Sequence, residues 1–158
     1  MTEKTYNLSI DPRSRELLGP NLYTNIYYVL AELIANAYDA DAHNVYIISN
    51  PDNITVEDDG SGMSYEEGDV NKFLNVAGIS RTGEEDSLSA GLKRKKMGRK
   101  GVGKLAALSV SEEVEVMTIK NGEKSGFVLS RHPQGDYLQS IPEDKVSLSK
   151  VDGNGTSI

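Results

Sequence analysis

Residues 26–40 read IYYVLAELIANAYDA and combine an apolar helical stripe with three polar side chains at its border. Apolar residues recur every three or four positions, which predicts a helix over residues 21–41 with one buried face. The stripe consists of Ile26, Val29, Leu30, Leu33, Ile34 and Ala37. Glu32, Asn36 and Asp39 are spaced by four and three residues, so they share one line along the helix. This line predicts three groups at the edge of a pocket, although an ordinary polar helix face shows the same spacing.

A second segment, residues 54–63, reads ITVEDDGSGM and takes an apolar strand into acidic residues and two glycines. Gly60 and Gly62 permit unusual backbone angles and a close approach of a ligand to the main chain. Asp58, at the strand end, is a carboxylate that can accept a hydrogen bond from an exocyclic amine. An ordinary acidic turn is the alternative, because Asp-Gly is common in turns.

A third segment is basic: residues 93–104 hold seven of the seventeen basic residues of the chain. Residues 98–104 read GRKGVGK, and a glycine turn that opens a helix offers free N–H groups to phosphate. A P-loop is rejected, because Leu105 stands where Ser or Thr is needed for magnesium. The dinucleotide pattern is rejected as well, because it requires a buried strand where residues 93–96 read KRKK. A solvated basic loop and a nucleic-acid contact remain alternatives.

Length and composition limit the function further. The 158 residues suggest one domain, and a formal net charge of −7 disfavours a generic DNA-coating surface. The absence of Cys excludes disulfide scaffolds, thiolate zinc sites and Cys nucleophiles. With only His43 and His132, a multi-histidine metal site is not expected. No signal peptide or membrane span is recognised, so we expect a cytoplasmic protein with no membrane partner.

The remaining pattern predicts an α/β two-layer sandwich, with a mixed, mostly antiparallel sheet and helices on one face. Ser64 and Glu67 predict the N-cap and capping box of a helix over residues 64–74. Asn121-Gly122 predicts a hairpin turn. We further predict strands over residues 5–10, around 45–47 and 54–56, at 114–119, at 127–129 and at 146–151, and a last strand that the chain enters at residue 158. Loops are predicted over residues 77–100 and 131–144, and a helix is predicted to start near residues 101–103.

The three segments in this order, followed by Gly155-Thr156, resemble the GHKL ATPase superfamily. This superfamily comprises gyrase ATPase subunits, ninety-kilodalton heat-shock chaperones, sensor histidine kinases, MutL-type repair proteins and MORC proteins. The likeness covers roughly residues 20–158, and the lid looks most like bacterial chaperone-like or MORC-like ATPases. It implies a Bergerat-type ATP-binding fold for residues 1–158, with residues 77–100 as the ATP lid.

The resemblance implies roles for individual residues. Asn36 matches the ligand of a magnesium ion that bridges the phosphates, and Glu32 matches the catalytic carboxylate that orients and deprotonates the attacking water. Asp58 matches the acceptor of the adenine amino group, supported by Thr156 and a bound water. The other implied nucleotide contacts are Asp39, Gly60, Gly62, Met63, Gly98, Lys100, Gly101, Val102, Gly103 and Lys104, with Lys100 and Lys104 as alternative phosphate partners.

The implied activity is magnesium-dependent binding of ATP and its slow hydrolysis, with the nucleotide state driving lid closure and dimerisation. The chain ends directly after Gly155-Thr156, so we expect the N-terminal part of a longer protein that binds ATP with little turnover alone. The partner that the resemblance implies is a second copy of the chain in an ATP-dependent homodimer. A protein kinase of the same fold, and a nucleic-acid-binding module using residues 93–104, are the alternatives.

Overall fold

The computed structural model describes residues 3–10, 25–76, 88–97, 103–135 and 137–158. Of the predicted site residues, Gly98, Lys100, Gly101 and Val102 lie outside these ranges, as does the greater part of the predicted lid. Gly103 and Lys104 are described as backbone only. Across the described residues, no helix is both long enough and apolar enough to cross a membrane.

Eight strands are described, and six of them form one sheet. The strands are β1 (Ser9–Ile10), β2 (Val45–Ser49), β3 (Ile54–Asp58), β4 (Asn75–Val76), β5 (Glu113–Lys120), β6 (Glu123–Ser130), β7 (Gln139–Ser140) and β8 (Gly155–Ser157). The six-stranded sheet has the order β2-β3-β8-β5-β6-β7, and its neighbouring strands pair antiparallel. The parallel pair of β1 with β4 lies apart from it.

The helices are α1 (Ile26–Asp39) and α2 (Asp69–Leu74), with 3₁₀ helices at Gly103–Ser109 and Glu143–Lys145. Asn25 caps α1, because its side-chain oxygen accepts the Tyr27 N–H at 2.9 Å. The predicted helix over 21–41 is therefore confirmed in its central part, while residues 21–24 lie outside the described ranges. The helix predicted near residues 101–103 is a 3₁₀ helix in its described part.

One hydrophobic core joins the helices to one face of the sheet, which confirms the predicted α/β two-layer architecture. β5 alternates between buried and exposed positions, so every second side chain points into the core. The sheet contributes Val56, Val114, Val116, Phe127 and Leu129, and the helical layer contributes Val29, Leu33, Val70, Leu74, Ala106 and Ala107. Tyr6 joins this core 4.9 Å from the Phe127 ring, although only β1 of the predicted strand over 5–10 is formed.

The helix predicted over residues 64–74 begins later than expected, at Asp69. The Ser64 hydroxyl does accept the Glu67 N–H at 2.9 Å, as an N-cap would. The reciprocal bond is different, because the Ser64 N–H donates to Asp69 Oδ2 at 3.2 Å. Glu67 instead pairs with Lys120 at 2.6 Å, so the capping box is wrong and residues 65–68 form turns.

The strand predicted at residues 146–151 is wrong, and a buried carboxylate explains why. Glu57, which is 1% exposed, accepts the backbone N–H groups of Ser149, Lys150 and Val151 at 2.9, 2.6 and 3.0 Å. These N–H groups are therefore used by a side chain instead of a strand ladder. The loop predicted over 131–144 contains β7 and part of a 3₁₀ helix, and the strand expected at the chain end is β8.

Asn121 and Gly122 form the predicted hairpin turn between β5 and β6. Both residues have positive φ, 52° and 82°, which two-residue hairpin turns of this kind require. The eight paired positions of this hairpin form the longest ladder of the described sheet. The hairpin therefore fixes the register of the inward-facing residues of β5, one of which belongs to the candidate site.

Candidate functional site

The polar border of α1 contains a buried amide that lacks a partner. Val29, Leu33 and Ala37 are the buried residues of α1, and Asn36 lies beside this stripe. Among the described residues, Asn36 Nδ2 is the buried side-chain atom with no hydrogen-bond partner. An unpaired buried polar group costs about 1–3 kcal/mol, so such groups in native proteins usually bind something. Glu32 lies one turn earlier on the same helix and is half-buried.

Asp58, at the end of β3, is a buried carboxylate with a perturbed pKa. Its side chain is 8% exposed, and its Oδ1 accepts the Gly60 N–H at 2.8 Å. Burial raises the pKa of Asp58 to about 6, the negative charges of Asp59 and Glu57 raise it as well, and the backbone N–H groups of Gly60 and Thr156 oppose the rise. Because an ionised buried carboxylate favours a donor, this group is suited to bind an amine or a water molecule.

A row of polar side chains crosses three neighbouring strands at this end of the sheet. Asp58 on β3 pairs in register with Thr156 on β8, and Thr156 pairs with Thr118 on β5. The two threonine hydroxyls lie 3.1 Å apart, and Thr118 Oγ1 also lies 3.1 Å from the Gly155 carbonyl. Thr118 Oγ1 further accepts the Met63 N–H at 2.8 Å. These bonds fix the position of the Thr156 hydroxyl and tie Met63 to the row.

Gly60 and Gly62 are required by the contacts of the protein with itself. A Cβ on Gly60 would lie 2.7 Å from the Ala40 carbonyl oxygen. A Cβ on Gly62, where φ is +68°, would lie 2.0 Å from the Ile119 carbonyl oxygen. The closest neighbours of both missing side chains are therefore backbone atoms, which gives these glycines a structural reason in addition to any approach of a ligand.

The acidic strand end and the polar helix border meet at the end of α1. The Ser61 N–H donates to the Ala40 carbonyl at 2.8 Å, and Ala40 is the C-cap of α1. The Ala40 N–H in turn donates to the Asn36 carbonyl at 3.0 Å. The glycine turn after Asp58 is therefore joined by backbone hydrogen bonds to the helical turn that carries Asn36.

Asp59, the neighbour of Asp58, has a different role. Its Oδ1 accepts the N–H groups of His43 and Asn44 at 2.7 and 2.8 Å, and its Oδ2 accepts the Asn44 side-chain amide at 2.8 Å. Slight burial would raise the pKa of Asp59, but the hydrogen bonds from Asn44 and His43 outweigh it and hold the pKa below its usual range. Asp59 thus closes the turn before β2, and Asp58 is the acid that is directed into the core.

Asp39 contacts the predicted lid. Its Oδ1 accepts the Met97 N–H at 2.7 Å, and Met97 directly precedes the predicted glycine bend in the sequence. We call residues 88–97, the part of the predicted lid that the structure describes, the lid arm. Its C-terminal end is therefore held one helical turn beyond Asn36.

Asp41 binds the other side of the lid arm, a contact that the sequence analysis missed. Its Oδ2 accepts the Gly91 N–H at 2.7 Å and its Oδ1 accepts the Leu92 N–H at 3.1 Å. Slight burial would raise the pKa of Asp41, but hydrogen bonds from Ser89, Gly91 and Leu92 and the charge of Arg94 lower it below the usual range. A carboxylate in this setting stays ionised and holds the arm by its backbone.

Arg94 completes the contact between the lid arm and α1. Its guanidinium lies 4.7 Å from the centre of the Tyr38 ring and donates to the Ala42 carbonyl at 2.7 Å. Arg94 belongs to the basic segment, residues 93–104, that is predicted to bind phosphate or nucleic acid. The structure shows that this side chain is engaged by the protein itself, and no periodicity in residues 93–104 indicated that contact.

The site as described thus unites Asn36, Asp58, Gly60, Gly62, Met63 and Thr156, and Asp39 joins it to the lid arm. The 3₁₀ helix Gly103–Ser109, which follows the predicted glycine bend, packs against α1. In the described ranges, no three His, Cys, Asp or Glu side chains lie close enough together to hold a metal ion.

Two shallow grooves lie at a different place, over the end of β6 and the loop that follows it. One of them has a volume of about 390 Å³ and is lined by Ser111, Glu112, Glu113, Ser130, His132 and Gln134. The other, of about 420 Å³, shares Glu113, Ser130, His132 and Gln134 with it. No candidate site residue lines either groove, and an open, polar groove of this kind is a poor match for an adenine pocket.

The sequence matches a known family over most of its length. The model of the family described as "Histidine kinase-, DNA gyrase B-, and HSP90-like ATPase" matches residues 23–156. This range includes α1, the acidic strand end, the basic segment and Thr156, which are the features that defined the site.

Similar proteins include a restriction enzyme and bacterial chaperones. A putative type II restriction enzyme, HgiDII of Herpetosiphon aurantiacus, is 37% identical over 91% of this chain and 22% of its own length. The chaperone protein HtpG of Paramagnetospirillum magneticum is 30% identical over 82% of this chain and 24% of its own length. HtpG of Vesicomyosocius okutanii is 31% identical over 90% of this chain and 26% of its own length. The chain therefore spans about a quarter of the length of these relatives.

Proposed function

Since this chain belongs to the family of histidine kinase-, DNA gyrase B- and HSP90-like ATPases, we propose that it binds ATP together with Mg²⁺ at the site beside α1 and hydrolyses the ATP slowly. The observation that carries the proposal is the junction of a buried carboxylate with a buried amide that has no hydrogen-bond partner. Asp58 is a buried carboxylate and Asn36 has a buried amide without a partner. Backbone hydrogen bonds of Ser61 and Ala40 join the elements that carry them.

Adenine binds, in this proposal, at the row formed by Asp58, Thr156 and Thr118. The ionised Asp58 carboxylate accepts a hydrogen bond from the exocyclic amine of adenine. The Thr156 hydroxyl, held by Thr118 at 3.1 Å, supports a water molecule at the same edge of the base. Guanine presents a carbonyl oxygen where adenine has the amine, so a carboxylate here discriminates against GTP. Met63 packs against the base.

The phosphates extend, in this proposal, from the row toward Asn36 and the glycine bend of residues 98–103. The amide oxygen of Asn36, after rotation of its side chain, is a suitable ligand for Mg²⁺, and the nitrogen is then free to donate elsewhere. Mg²⁺ when bound neutralises phosphate charge. Lys100 and Lys104 remain the two candidates for a direct phosphate contact.

Glu32 is the proposed general base for hydrolysis. It accepts a proton from a water molecule while the water oxygen bonds to the terminal phosphorus. The bond from that phosphorus to the bridging oxygen breaks, and ADP and phosphate leave. A positioned base typically contributes about 10²–10⁴ in rate. Because α1 is continuous, Glu32 stays one turn, about 6 Å along the axis, from Asn36.

Titration of the purified chain with ATP tests the binding proposal, with and without Mg²⁺ and with GTP as the control. We expect saturable binding of ATP that strengthens with Mg²⁺ and exceeds the binding of GTP. Equal affinity for ATP and GTP, or binding that Mg²⁺ does not affect, would contradict the proposed roles of Asp58 and Asn36.

Labelled ATP separates hydrolysis from the kinase alternative, because free phosphate indicates hydrolysis and labelled protein indicates transfer. The nucleic-acid alternative predicts binding that is sensitive to salt and indifferent to ATP and Mg²⁺. It is weakened by the contact of Arg94 with Tyr38 and Ala42, which engages one of the basic side chains.

The place of this domain in a whole protein is proposed from the relatives. Since the chain spans about a quarter of their length, we propose that residues 1–158 are one ATP-binding domain of a longer, cytoplasmic protein. We propose that in this longer protein ATP binding closes the lid, which consists of residues 77–100, and promotes formation of a homodimer. Turnover then depends on parts that follow the domain, so the isolated chain hydrolyses ATP slowly.

A further inference from the structure

The lid arm is a small closed unit that the protein builds from its own hydrogen bonds. Ser89, which is 1% exposed, donates its backbone N–H to the Arg94 carbonyl at 2.8 Å. The Ser89 hydroxyl accepts the Arg94 N–H, also at 2.8 Å. Leu88 and Lys95 form an antiparallel bridge. These internal bonds make the lid arm one structural unit, and its contacts with the end of α1 fix its position.

We infer that Asp39 and Asp41 are positioning residues that dock the lid arm on the end of α1 and thereby set the geometry in which the phosphates of ATP are bound. This inference rests on the proposed ATP binding. The resemblance implies a nucleotide contact for Asp39, but its carboxylate accepts the Met97 N–H at 2.7 Å, so the docking role is proposed in place of that contact. No nucleotide contact is implied for Asp41. The role of both carboxylates is exerted through the lid arm, which leads directly into the predicted phosphate-binding segment in the sequence.

The spacing of the contacts supports this role. Asp39 holds the Met97 N–H at 2.7 Å, and residue 98, the first glycine of the predicted phosphate bend, comes next in the sequence. Asp39 follows Asn36 by three residues on a continuous helix, which is about 4.5 Å along its axis. One continuous helix therefore carries both the proposed magnesium ligand and the residue that holds the C-terminal end of the lid arm.

The charges agree with a role in docking. A carboxylate directed at a triphosphate would repel it, so two acids near a phosphate site need other partners. Asp41 has them in the Gly91 and Leu92 N–H groups and in the nearby Arg94. A Cβ on Gly91 would lie 3.0 Å from Asp41 Oδ2, so the arm fits closely at this point.

In the proposed site, the adenine contacts and the phosphate contacts lie on different elements, so their contributions to binding can be measured separately. The adenine contacts proposed here lie on β3 and β8, which the lid arm does not build. Loss of the docking contacts should therefore weaken ligands in proportion to their phosphates. Adenosine should be unaffected, ADP weakened and ATP weakened most.

The experiment measures dissociation constants of adenosine, ADP and ATP with Mg²⁺ for the wild-type chain, Asp39→Ala and Asp41→Asn. Asn is chosen at position 41 because φ is 63° there, a conformation that Asn tolerates well. For each variant we expect the ATP constant to rise by about tenfold, equivalent to about 1.4 kcal/mol, and the adenosine constant to stay within about twofold. Asp39→Asn keeps the one acceptor oxygen that binds Met97 and should recover most of the lost ATP affinity. Asp41→Asn has no such rescue, because Asp41 uses both carboxylate oxygens and the amide can replace only one of them.

Glu123→Gln is the matched control. Glu123 also accepts two backbone N–H groups, from Tyr65 at 2.8 Å and Glu66 at 3.2 Å, but it lies away from the lid arm. Its loss should lower the melting temperature without changing the ratio of ATP to adenosine affinity. If Asp39→Ala does not fold, Arg94→Lys replaces it, because Lys keeps the charge and loses the guanidinium that covers Tyr38.

Three results would overturn the inference. A variant that weakens adenosine and ATP equally has only damaged the fold, and a variant that weakens neither has shown that the docking is irrelevant to binding. A change in the ratio for Glu123→Gln would make the effect unspecific. A wild-type chain that binds neither adenosine nor ATP would refute the proposed function itself, which is a different outcome.

Discussion

Replacing Asp58 by Asn should stabilise the protein at neutral pH while it removes ATP binding. The folded-state pKa of Asp58 is about 6, against an ordinary value of 3.8. Between these values the folded protein retains a proton that the unfolded chain has released, so the free energy of unfolding falls as the pH rises through this window. At about 1.4 kcal/mol for each pH unit, the ionised carboxylate costs the folded state about 3 kcal/mol above pH 6. Asn has no ionisation to suppress and avoids that cost.

The amide also brings its own cost, which lowers the expected gain. Asn Oδ1 can still accept the Gly60 N–H, but its NH₂ group would face the N–H of Thr156, which now binds the carboxylate. We therefore expect Asp58→Asn to be more stable than the wild type by about 1–3 kcal/mol near pH 7.5. Near pH 4 this gain should disappear or reverse, because the wild-type carboxyl is then largely neutral in the folded state while the cost of the amide remains.

Urea unfolding at both pH values, without nucleotide, measures this difference, and ATP titration measures the loss of binding. Asp59→Asn is the matched control, because it changes the adjacent carboxyl in the same way. The pKa of Asp59 is lowered by its bonds to Asn44 and His43, so its loss should destabilise the protein above the unfolded pKa. If Asp58→Asn destabilised the chain at neutral pH as Asp59→Asn does, the idea that Asp58 is a strained acceptor kept for a ligand would be refuted.

Three more outcomes are expected. ATP affinity should fall by about tenfold between pH 7.5 and pH 5, because Asp58 takes up a proton with a pKa of about 6. Binding assays across this pH range should show a midpoint near pH 6, and an affinity independent of pH would contradict the prediction. Glu32→Ala should leave ATP binding intact and suppress phosphate release in a longer protein that turns over, while retained turnover would remove Glu32 from the role of base. Gly62→Ala should lower stability by at least about 2 kcal/mol, since its Cβ would lie 2.0 Å from the Ile119 carbonyl, and a normal melting curve would show that the turn is placed differently.

The sequence predicted those parts of the fold in which local preference and burial agree. The stripe of α1, the alternation of β5 and the Asn121-Gly122 turn each express one periodicity or one turn type, and all three are present. Family resemblance implied an ATPase-type domain with a two-layer α/β fold, and the family match over residues 23–156 and the observed sheet confirm both.

The errors arise where a side chain far away in sequence replaces a local partner. Glu57 takes the backbone N–H groups of residues 149–151, so apolar spacing there did not produce a strand. The Ser64 N–H donates to the side chain of Asp69 instead of that of Glu67, so the helix begins later than predicted. Neither contact can be derived from spacing, because each depends on the three-dimensional approach of separate segments.

The candidate site shows the same division. Asp58 was predicted from its place at a strand end before two glycines, and the structure buries it there. Thr118 was missed, although a polar residue at an inward position of β5, after Val114 and Val116, is a signal that could have identified it. Asp41 and Arg94 left no such signal, because each contacts a partner about fifty residues away in the sequence.

The central place of β8 has a consequence for how this domain forms. β8 lies between β3 and β5 in the sheet, yet residues 155–157 follow every other strand in the sequence. During synthesis, the hairpins on either side can pair early, but the sheet stays in two halves until this last segment inserts between them. Long-range pairing of this kind slows folding. The row formed by Asp58, Thr156 and Thr118 therefore cannot assemble until β8 has left the ribosome and paired with both neighbouring strands.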